Sequence, residues 1–167
     1  LKEPAIIDRQ AFLLYVLAKA CKANSSSTVQ LFDQHQRMAL HSQAFLAQTL
    51  STINPQDPRV TTIMSDLSSA AIHSAAGVHW EEKSIDRNNW NTNTRTTAII
   101  LSALSQIDPN SILSVDAARW LMSNRTAGHW KGTQETAWSL IALTDWMVLS
   151  GDLSADYKYA VALNGDQ

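Results

Sequence analysis

Cysteine is nearly absent from this sequence: Cys21 is the only one among 167 residues. A disulfide within the chain is therefore excluded, and the cysteine content gives no information about the redox compartment. No apolar run reaches the roughly 18 residues that a membrane-spanning helix needs. The 13 basic and 15 acidic residues leave a net charge of −2, with no basic run and no acidic tail. The charge pattern therefore does not indicate nucleic acid or a membrane surface as a partner.

The sequence also lacks the residue patterns of metal sites and of nucleophilic catalysis. Its 5 histidines never fall at a zinc-binding spacing such as H-E-x-x-H. Its aspartates are scattered, and no Asp–His pair accompanies Cys21. We therefore predict no metal, no cofactor and no catalytic residue, and we interpret Cys21 as a small packing residue in the core.

What is present is a globular composition, with 45% hydrophobic and 17% charged residues. A chain of this size is about one domain and can bury a core. The chain begins at Leu1 without an initiator Met or a signal peptide. We interpret it as a segment of a longer protein.

One pattern organises the sequence and occurs twice, 39 residues apart. It reads T-x-x-T-A-x-x-L-x-A-L at residues 94–104 and again at residues 133–143. A tryptophan, Trp90 or Trp130, precedes each copy, and residues 43–50 form a looser third copy. A repeat of this length is typical of stacked helix pairs.

Apolar periodicity and helix-stop signals divide the chain into helices. The predicted helices are 8–23, 27–36, 37–53, 57–76, 94–107, 111–124 and 133–149. Their predicted caps are Ser27 or Thr28, Asp57 followed by Pro58, Thr94, and Thr133. Residues 77–93 have no helical period, so we predict a loop there, with a short hairpin between residues 78–80 and 89–91.

Two kinds of helix alternate along the chain. The helices at 37–53, 94–107 and 133–149 are apolar on most faces and are expected to be buried on all sides, whereas those at 57–76 and 111–124 carry a single apolar stripe. The simplest architecture with this alternation has inner helices backed by an outer ring. We predict an all-α fold, a partial α/α toroid of helical hairpins with a short β segment at the C-terminus.

The C-terminal segment changes character. In residues 157–163 the large apolar side chains fall on every second position, which is a strand period, and Asn164-Gly165 follows as a hairpin signal. We therefore predict a helical domain over residues 1–152 and the start of a truncated β-domain over residues 153–167.

The stretch from Trp130 to Leu143, together with residues 79–82, 89–91 and 94–98, resembles the alpha-2-macroglobulin family. The resemblance covers about residues 8–165 and is most specific over 77–143. The matching part is the C-terminal half of the thioester-containing domain in bacterial members.

The resemblance implies a non-enzymatic scaffold within a broad-spectrum protease inhibitor, which traps a protease after that protease cleaves a bait region. The implied partners are the other domains of the same polypeptide and the target protease, and the implied location is extracytoplasmic. The thioester of this family joins the Cys and the Gln of a C-x-E-Q motif. Cys21 is followed by Lys22, Ala23 and Asn24, so no thioester residue lies in this chain.

Five residues are predicted to form interdomain or pocket contacts: His79, Trp80, Trp90, Trp130 and Glu135. The competing interpretation is that the tryptophans fill the core and gaps between helices and that His79 packs within its loop. Glu81 and Glu82 are predicted to be a solvated pair.

Two other functions fit a helical toroid. Terpene cyclases and protein prenyltransferases also use this architecture, but they need acid-rich or Asp/Cys/His zinc motifs that this sequence lacks. A helical-repeat scaffold that binds a protein partner is the other alternative, and a fold-level analogy does not exclude it.

Overall fold

The computed structural model describes residues 3–83 and 91–150. In these residues the chain forms seven α-helices, one 3₁₀ turn at His35–Arg37 and one two-stranded hairpin. The helices are α1 (Pro4–Lys19), α2 (Ser25–Phe32), α3 (Leu40–Ile53), α4 (Pro58–Ser69), α5 (Asn93–Ile107), α6 (Ile112–Ser123) and α7 (Thr133–Ser150). The strands are β1 (Ile72–Ser74) and β2 (Gly77–His79). The all-α prediction is confirmed.

The helices lie in two layers. In the inner layer, α3 packs between α1 and α5, and α5 packs between α3 and α7. In the outer layer, α2 and α4 pack behind α3, and α6 packs behind α5. Residues 41–50 of α3 and 94–105 of α5 are all buried, because each of these two helices has neighbours on both flanks and behind it. This is the predicted alternation of inner and outer helices.

The inner helices meet at an aromatic cluster. The ring of Phe45 in α3 lies 4.7 Å from that of Tyr15 in α1 and 5.3 Å from that of Trp138 in α7, and the rings of Tyr15 and Trp138 are 6.4 Å apart, all between centroids. Tilted aromatic pairs at these distances add to the energy gained from burying their area. The cluster joins three of the four inner helices at one point.

Most helix boundaries follow the predicted stop signals, but three of the four predicted caps do not, among them Thr133, which is already the first residue of α7. The carboxylate of Asp57 caps α4 ahead of Pro58 by accepting from the Arg59 N–H, as predicted. The cap of α2 is Asn24, whose Oδ1 accepts from the N–H of Ser27, so the prediction of Ser27 or Thr28 was wrong.

The first full copy of the repeat is capped two residues before the shared pattern begins. The N-cap of α5 is Thr92, which accepts from the N–H of Arg95. Thr94, the predicted cap, lies inside the helix and is buried. The repeat therefore marks the packed body of the helix, and the cap precedes it.

Cys21 is exposed, so its interpretation as a core residue was wrong. Helix α1 ends at Lys19, four residues before the predicted end, and the chain turns back with Cys21 at φ 58°. The turn is closed by the Lys22 N–H, which donates to the carbonyl of Leu17 at 2.8 Å. The apolar stretch thus ends before it reaches Cys21.

The prediction that α7 is buried on all sides was also wrong. Only Ser139 and Ala142 are buried on it, and its large apolar side chains include several that are about half exposed. In the described part of the chain, α7 packs on α5 and α6 but has no helix on its other flank.

The loop after α4 holds a different hairpin from the predicted one. Helix α4 ends at Ser69, and β1 pairs antiparallel with β2, with Ile72 opposite His79 and Ser74 opposite Gly77. Val78 is in a strand as predicted, but its partner is His73. The predicted partner segment, residues 89–91, lies mostly outside the described residues. Residues 153–167, where the start of a β-domain is predicted, lie entirely outside them.

Gly77 is needed at the turn of this hairpin for two reasons. Its φ is +125°, a conformation that side chains rarely adopt, and an added Cβ would lie 2.2 Å from the carbonyl oxygen of Asp116 in α6. The hairpin therefore packs directly on the backbone of α6. This contact fixes the segment that follows β2.

We expect Gly77→Ala to lower the free energy of unfolding by about 3 kcal/mol, because strain and a clash with backbone add together. Gly132→Ala is the matched control, since nothing lies within 4 Å of its added Cβ. Urea denaturation followed by circular dichroism measures both. Equal stability of the two variants would contradict the close approach.

Candidate functional site

The most extensive buried polar cluster in the described residues centres on Glu82, just after β2. Its Oε1 accepts from His41 N at 3.2 Å, from His41 Nδ1 at 2.8 Å and from Thr96 Oγ1 at 2.8 Å. Its Oε2 accepts from Leu40 N at 3.0 Å. One carboxylate thus joins the loop after β2 to the start of α3 and the first turn of α5.

This carboxylate stands in for a missing helix cap. The N-cap residue of α3 is Ala39, which has no side-chain acceptor. Three N–H groups at this end find acceptors elsewhere in the chain: Ala39 N donates to Asp8 Oδ1 at 2.9 Å, and Leu40 N and His41 N donate to Glu82. Two acidic side chains at a helix N-terminus also interact favourably with the helix dipole.

The pKa values of the two carboxylates are shifted in opposite directions. Burial raises the pKa of Asp8 above its ordinary value, and the Ala39 N–H only partly offsets this. For Glu82, burial also acts to raise the pKa, but the hydrogen bonds and charge of His41, with the Thr96 hydroxyl, outweigh it and hold the pKa below its ordinary value. Glu82 is therefore the anion that the site stabilises.

The geometry does not form a catalytic arrangement. His41 and Thr96 both donate to Glu82, so the hydroxyl is not hydrogen-bonded to the imidazole that would have to take its proton. The side chains of His41 and Glu82 are only 4% and 6% exposed. In the described residues no three His, Cys, Asp or Glu side chains are placed to hold a metal ion. The cluster holds three elements together.

A cleft of about 860 Å³ opens beside this cluster. Its walls carry the carboxylates of Asp8, Asp66, Glu81 and Glu82 and the side chain of Gln43. Asp8, Asp66 and Glu82 each accept hydrogen bonds from elsewhere in the chain, and Glu81 pairs with His79 at 3.2 Å. Glu3 also lines the cleft. Asp8, Asp66 and Glu82 are thus engaged in hydrogen bonds within the fold, whereas the side chain of Glu81 is about half exposed.

The predicted residues His79 and Trp80 lie at the end of β2 next to this cluster. The indole of Trp80 is fully buried, and its Nε1 donates to the carbonyl of Leu67 at 2.6 Å. The imidazole of His79 stacks on Trp120 of α6, with centroids 4.7 Å apart and 4° between the planes. Both side chains pack within the domain.

Trp130 and Glu135 lie away from that pair, at the start of α7. The indole of Trp130 is buried and donates to the carbonyl of Leu121 at 2.9 Å, with Arg125 over its ring. Glu135 is in the first turn of α7 and is partly exposed. The fifth predicted residue, Trp90, lies outside the described residues.

A family model described as the A-macroglobulin TED domain matches residues 8–146 of the chain. The chain belongs to this family. No curated protein and no solved structure matches it.

The TED match confirms the predicted resemblance and the toroid class, but it assigns no function to single residues. In this TED chain, Glu81 has a 53% exposed side chain and is solvated as predicted, whereas Glu82 is buried, so the prediction of a solvated pair was wrong for Glu82. The signal that sequence reasoning missed is Ala39 at the start of an apolar helix. A helix that begins without a capping side chain needs acceptors from elsewhere.

Arg95 is a further buried charged residue of the TED chain near this cluster. Its guanidinium lies over the ring of Trp138, 5.8 Å from the centroid, and its Nε and Nη1 have no hydrogen-bond partner in the described structure. Burial lowers the pKa of Arg95 to about 10, and the charge of Glu82 acts in the opposite direction. Arg95 therefore stays charged at neutral pH and ties α5 to α7.

In the residues that the structure describes, no helix of the TED chain combines the length and apolarity that crossing a membrane requires.

We expect Glu82→Gln to lower the free energy of unfolding by about 2 kcal/mol at pH 7, because an amide oxygen replaces a buried anion that accepts four hydrogen bonds. Since the pKa of Glu82 is lowered in the folded state, this contribution is present above the ordinary value of 4.5 and is lost as the pH falls through the lowered pKa. The difference between wild type and variant should therefore shrink in acid.

Glu81→Gln is the control for this experiment, because the neighbouring side chain is exposed and its loss should change stability by less than about 0.5 kcal/mol. Urea titrations at several pH values measure all three proteins. A Glu82→Gln variant as stable as Glu81→Gln at pH 7 would show that the cluster does not hold the fold.

Proposed function

We propose that this chain is a non-catalytic helical scaffold within an alpha-2-macroglobulin-like, broad-spectrum protease inhibitor. The observation that carries the proposal is the match to the A-macroglobulin TED domain over residues 8–146. In the parent protein, a protease cleaves a bait region and the molecule rearranges around it.

The packing of the repeat supports a scaffold role. In α5 the residues of the repeat are buried between α3 and α7, and Ala98 and Ala103, which both recur in the second copy, are fully buried. Polar groups on the repeat are used in holding elements together, as when Thr97 Oγ1 accepts from Trp80 N at 3.1 Å. The repeat thus positions helices and carries no reactive group.

The thioester chemistry of the family has no residues in this chain. Cys21 is the only cysteine, and the three residues after it supply no glutamine. The partners that we propose are therefore the other domains of the parent polypeptide and, for the intact inhibitor, its target proteases. The proposed location is outside the cytoplasm, in the periplasm, in the cell envelope or secreted.

The catalytic alternative has less support. The buried His41–Glu82 pair has no substrate-accessible nucleophile, and among the described residues no set of metal-binding side chains is assembled. A terpene cyclase or prenyltransferase would need such a set, whereas the described inner helices meet at the aromatic cluster of Tyr15, Phe45 and Trp138.

The trap itself is tested on the intact parent protein. After incubation with trypsin, the enclosed protease should keep most of its activity on a small chromogenic peptide and lose its activity on a large protein substrate, because the cage excludes only the large one. The 167-residue chain alone serves as the control, and trypsin incubated with it should cleave both substrates at the usual rate. Equal cleavage of the large substrate with and without the parent protein would contradict the proposal.

A further inference from the structure

The cleft beside the Glu82 cluster is lined largely by groups that accept hydrogen bonds. Its volume of about 860 Å³ is that of an ordinary ligand site. The carboxylates in its lining are those of Glu3, Asp8, Asp66, Glu81 and Glu82. The basic residues in the described lining, Arg37 and Lys83, are both exposed. The positive charge of the cleft therefore lies toward solvent, and its buried part is acidic.

Three side chains from three elements converge on the start of α3 and form the buried end of this cleft. Asp8 of α1, Gln43 of α3 and Glu82 of the loop after β2 are hydrogen-bonded, at 2.9, 3.4 and 3.0 Å, to the backbone of residues 38–40. Asp8 is 7% exposed, Gln43 is 6% exposed, and the side chain of Glu82 is 6% exposed. All three line the cleft.

Gln43 is the residue that points to a ligand. Its Nε2 donates to the carbonyl of Met38, but its Oε1 is buried and has no hydrogen-bond partner in the described structure. A buried acceptor without a donor costs free energy. Since Gln43 lies in the wall of the cleft, a donor that enters the cleft can satisfy this oxygen.

The two carboxylates beside Gln43 favour a donor that is positively charged. Burial raises the pKa of Asp8, and the negative charge of Glu82 adds a smaller effect in the same direction. The two anions thus repel each other across the start of α3. Each carboxylate oxygen has two lone pairs, so Asp8 and the Oε2 of Glu82 can accept a further donor. A cation placed between them would relieve the repulsion.

The cation that fits these three groups is a primary ammonium. An ammonium has one positive charge and three N–H donors, with no acceptor of its own. The buried end of the cleft offers one acceptor group from each of three elements. A guanidinium is less well matched, because its planar fork pairs best with a single carboxylate. A metal ion is not favoured either, since no three His, Cys, Asp or Glu side chains in the described residues are placed to hold one.

We propose that this cleft binds the ammonium group of a lysine side chain from another polypeptide segment, with Asp8, Gln43 and Glu82 around the nitrogen. The more exposed carboxylates of the cleft, Asp66 and Glu81, favour further positive charge in the same segment. The proposal goes beyond the scaffold role, because it assigns this domain a ligand of its own.

Titration with two short peptides tests the site. One is a glycine–lysine–glycine peptide with blocked ends, and the other has norleucine in place of lysine, which keeps the four-carbon side chain without the ammonium. Binding is followed by NMR through the amide signals of Ala39 and Leu40 in the 167-residue chain. We expect the lysine peptide to shift these signals saturably in the millimolar range, and the norleucine peptide to leave them unchanged.

Two matched substitutions on α3 separate binding from stability. We expect Gln43→Met to weaken binding of the lysine peptide roughly tenfold, because an acceptor for a charged donor is lost. Gln48→Met is the control, since neither amide atom of the buried Gln48 has a partner and the residue does not line the cleft. Its affinity should match wild type. Both variants should be at least as stable as wild type in urea, because each loses a buried oxygen without a partner.

Four results would overturn the proposal. They are the absence of a saturable shift with the lysine peptide, an equal shift with the norleucine peptide, equal weakening by Gln43→Met and Gln48→Met, and tighter binding of the corresponding arginine peptide. The last result would assign the cleft to a guanidinium.

The source of the lysine is identified by repeating the titration with the intact parent protein, observed by saturation-transfer NMR on the peptide. Binding to the 167-residue chain and to the parent would identify the lysine as that of a separate protein. Binding to the chain alone would show that a lysine of the parent already fills the cleft.

Discussion

The arrangement of this domain depends on one buried carboxylate. Glu82 joins the start of α3, the first turn of α5 and the loop after β2, because its two oxygens accept from four donors on these elements. The hairpin reaches this position only because Gly77 can lie against the carbonyl of Asp116. A close backbone contact on an outer helix thereby determines how two inner helices begin.

The sequence was a good guide to what is local and periodic. Helix bodies repeat their apolar side chains every three to four residues, and signals such as Asp57 before Pro58 act on the next few residues only, so the helices and several of their ends could be predicted. The same reasoning predicted Thr94 as a cap, because the sequence does not distinguish a threonine that caps a helix from one that lies within its first turn.

What could not be predicted depends on distant partners. Glu81 and Glu82 are neighbours of the same type, yet only the side chain of Glu82 is buried, because it reaches the donors at the start of α3 while that of Glu81 lies beside His79. The acceptor for Ala39 is Asp8, 31 residues earlier in the chain. No local pattern encodes such a pairing, so the cluster at the centre of the candidate site was found only in the structure.

In helix α7 the burial that the sequence pattern predicts differs from the burial that the structure shows. Its pattern predicts burial on every side, and Ala142 and Ser139 meet that expectation, while Ile141 and Val148 do not. Helix α5 carries the other copy of the repeat and is buried from Thr94 to Ser105, because it has an inner helix on each flank. A sequence that is apolar on all sides of a helix indicates that the helix is suited to a buried environment. The exposed part of that pattern therefore lies where, among the described residues, α7 lacks the second inner neighbour that α5 has.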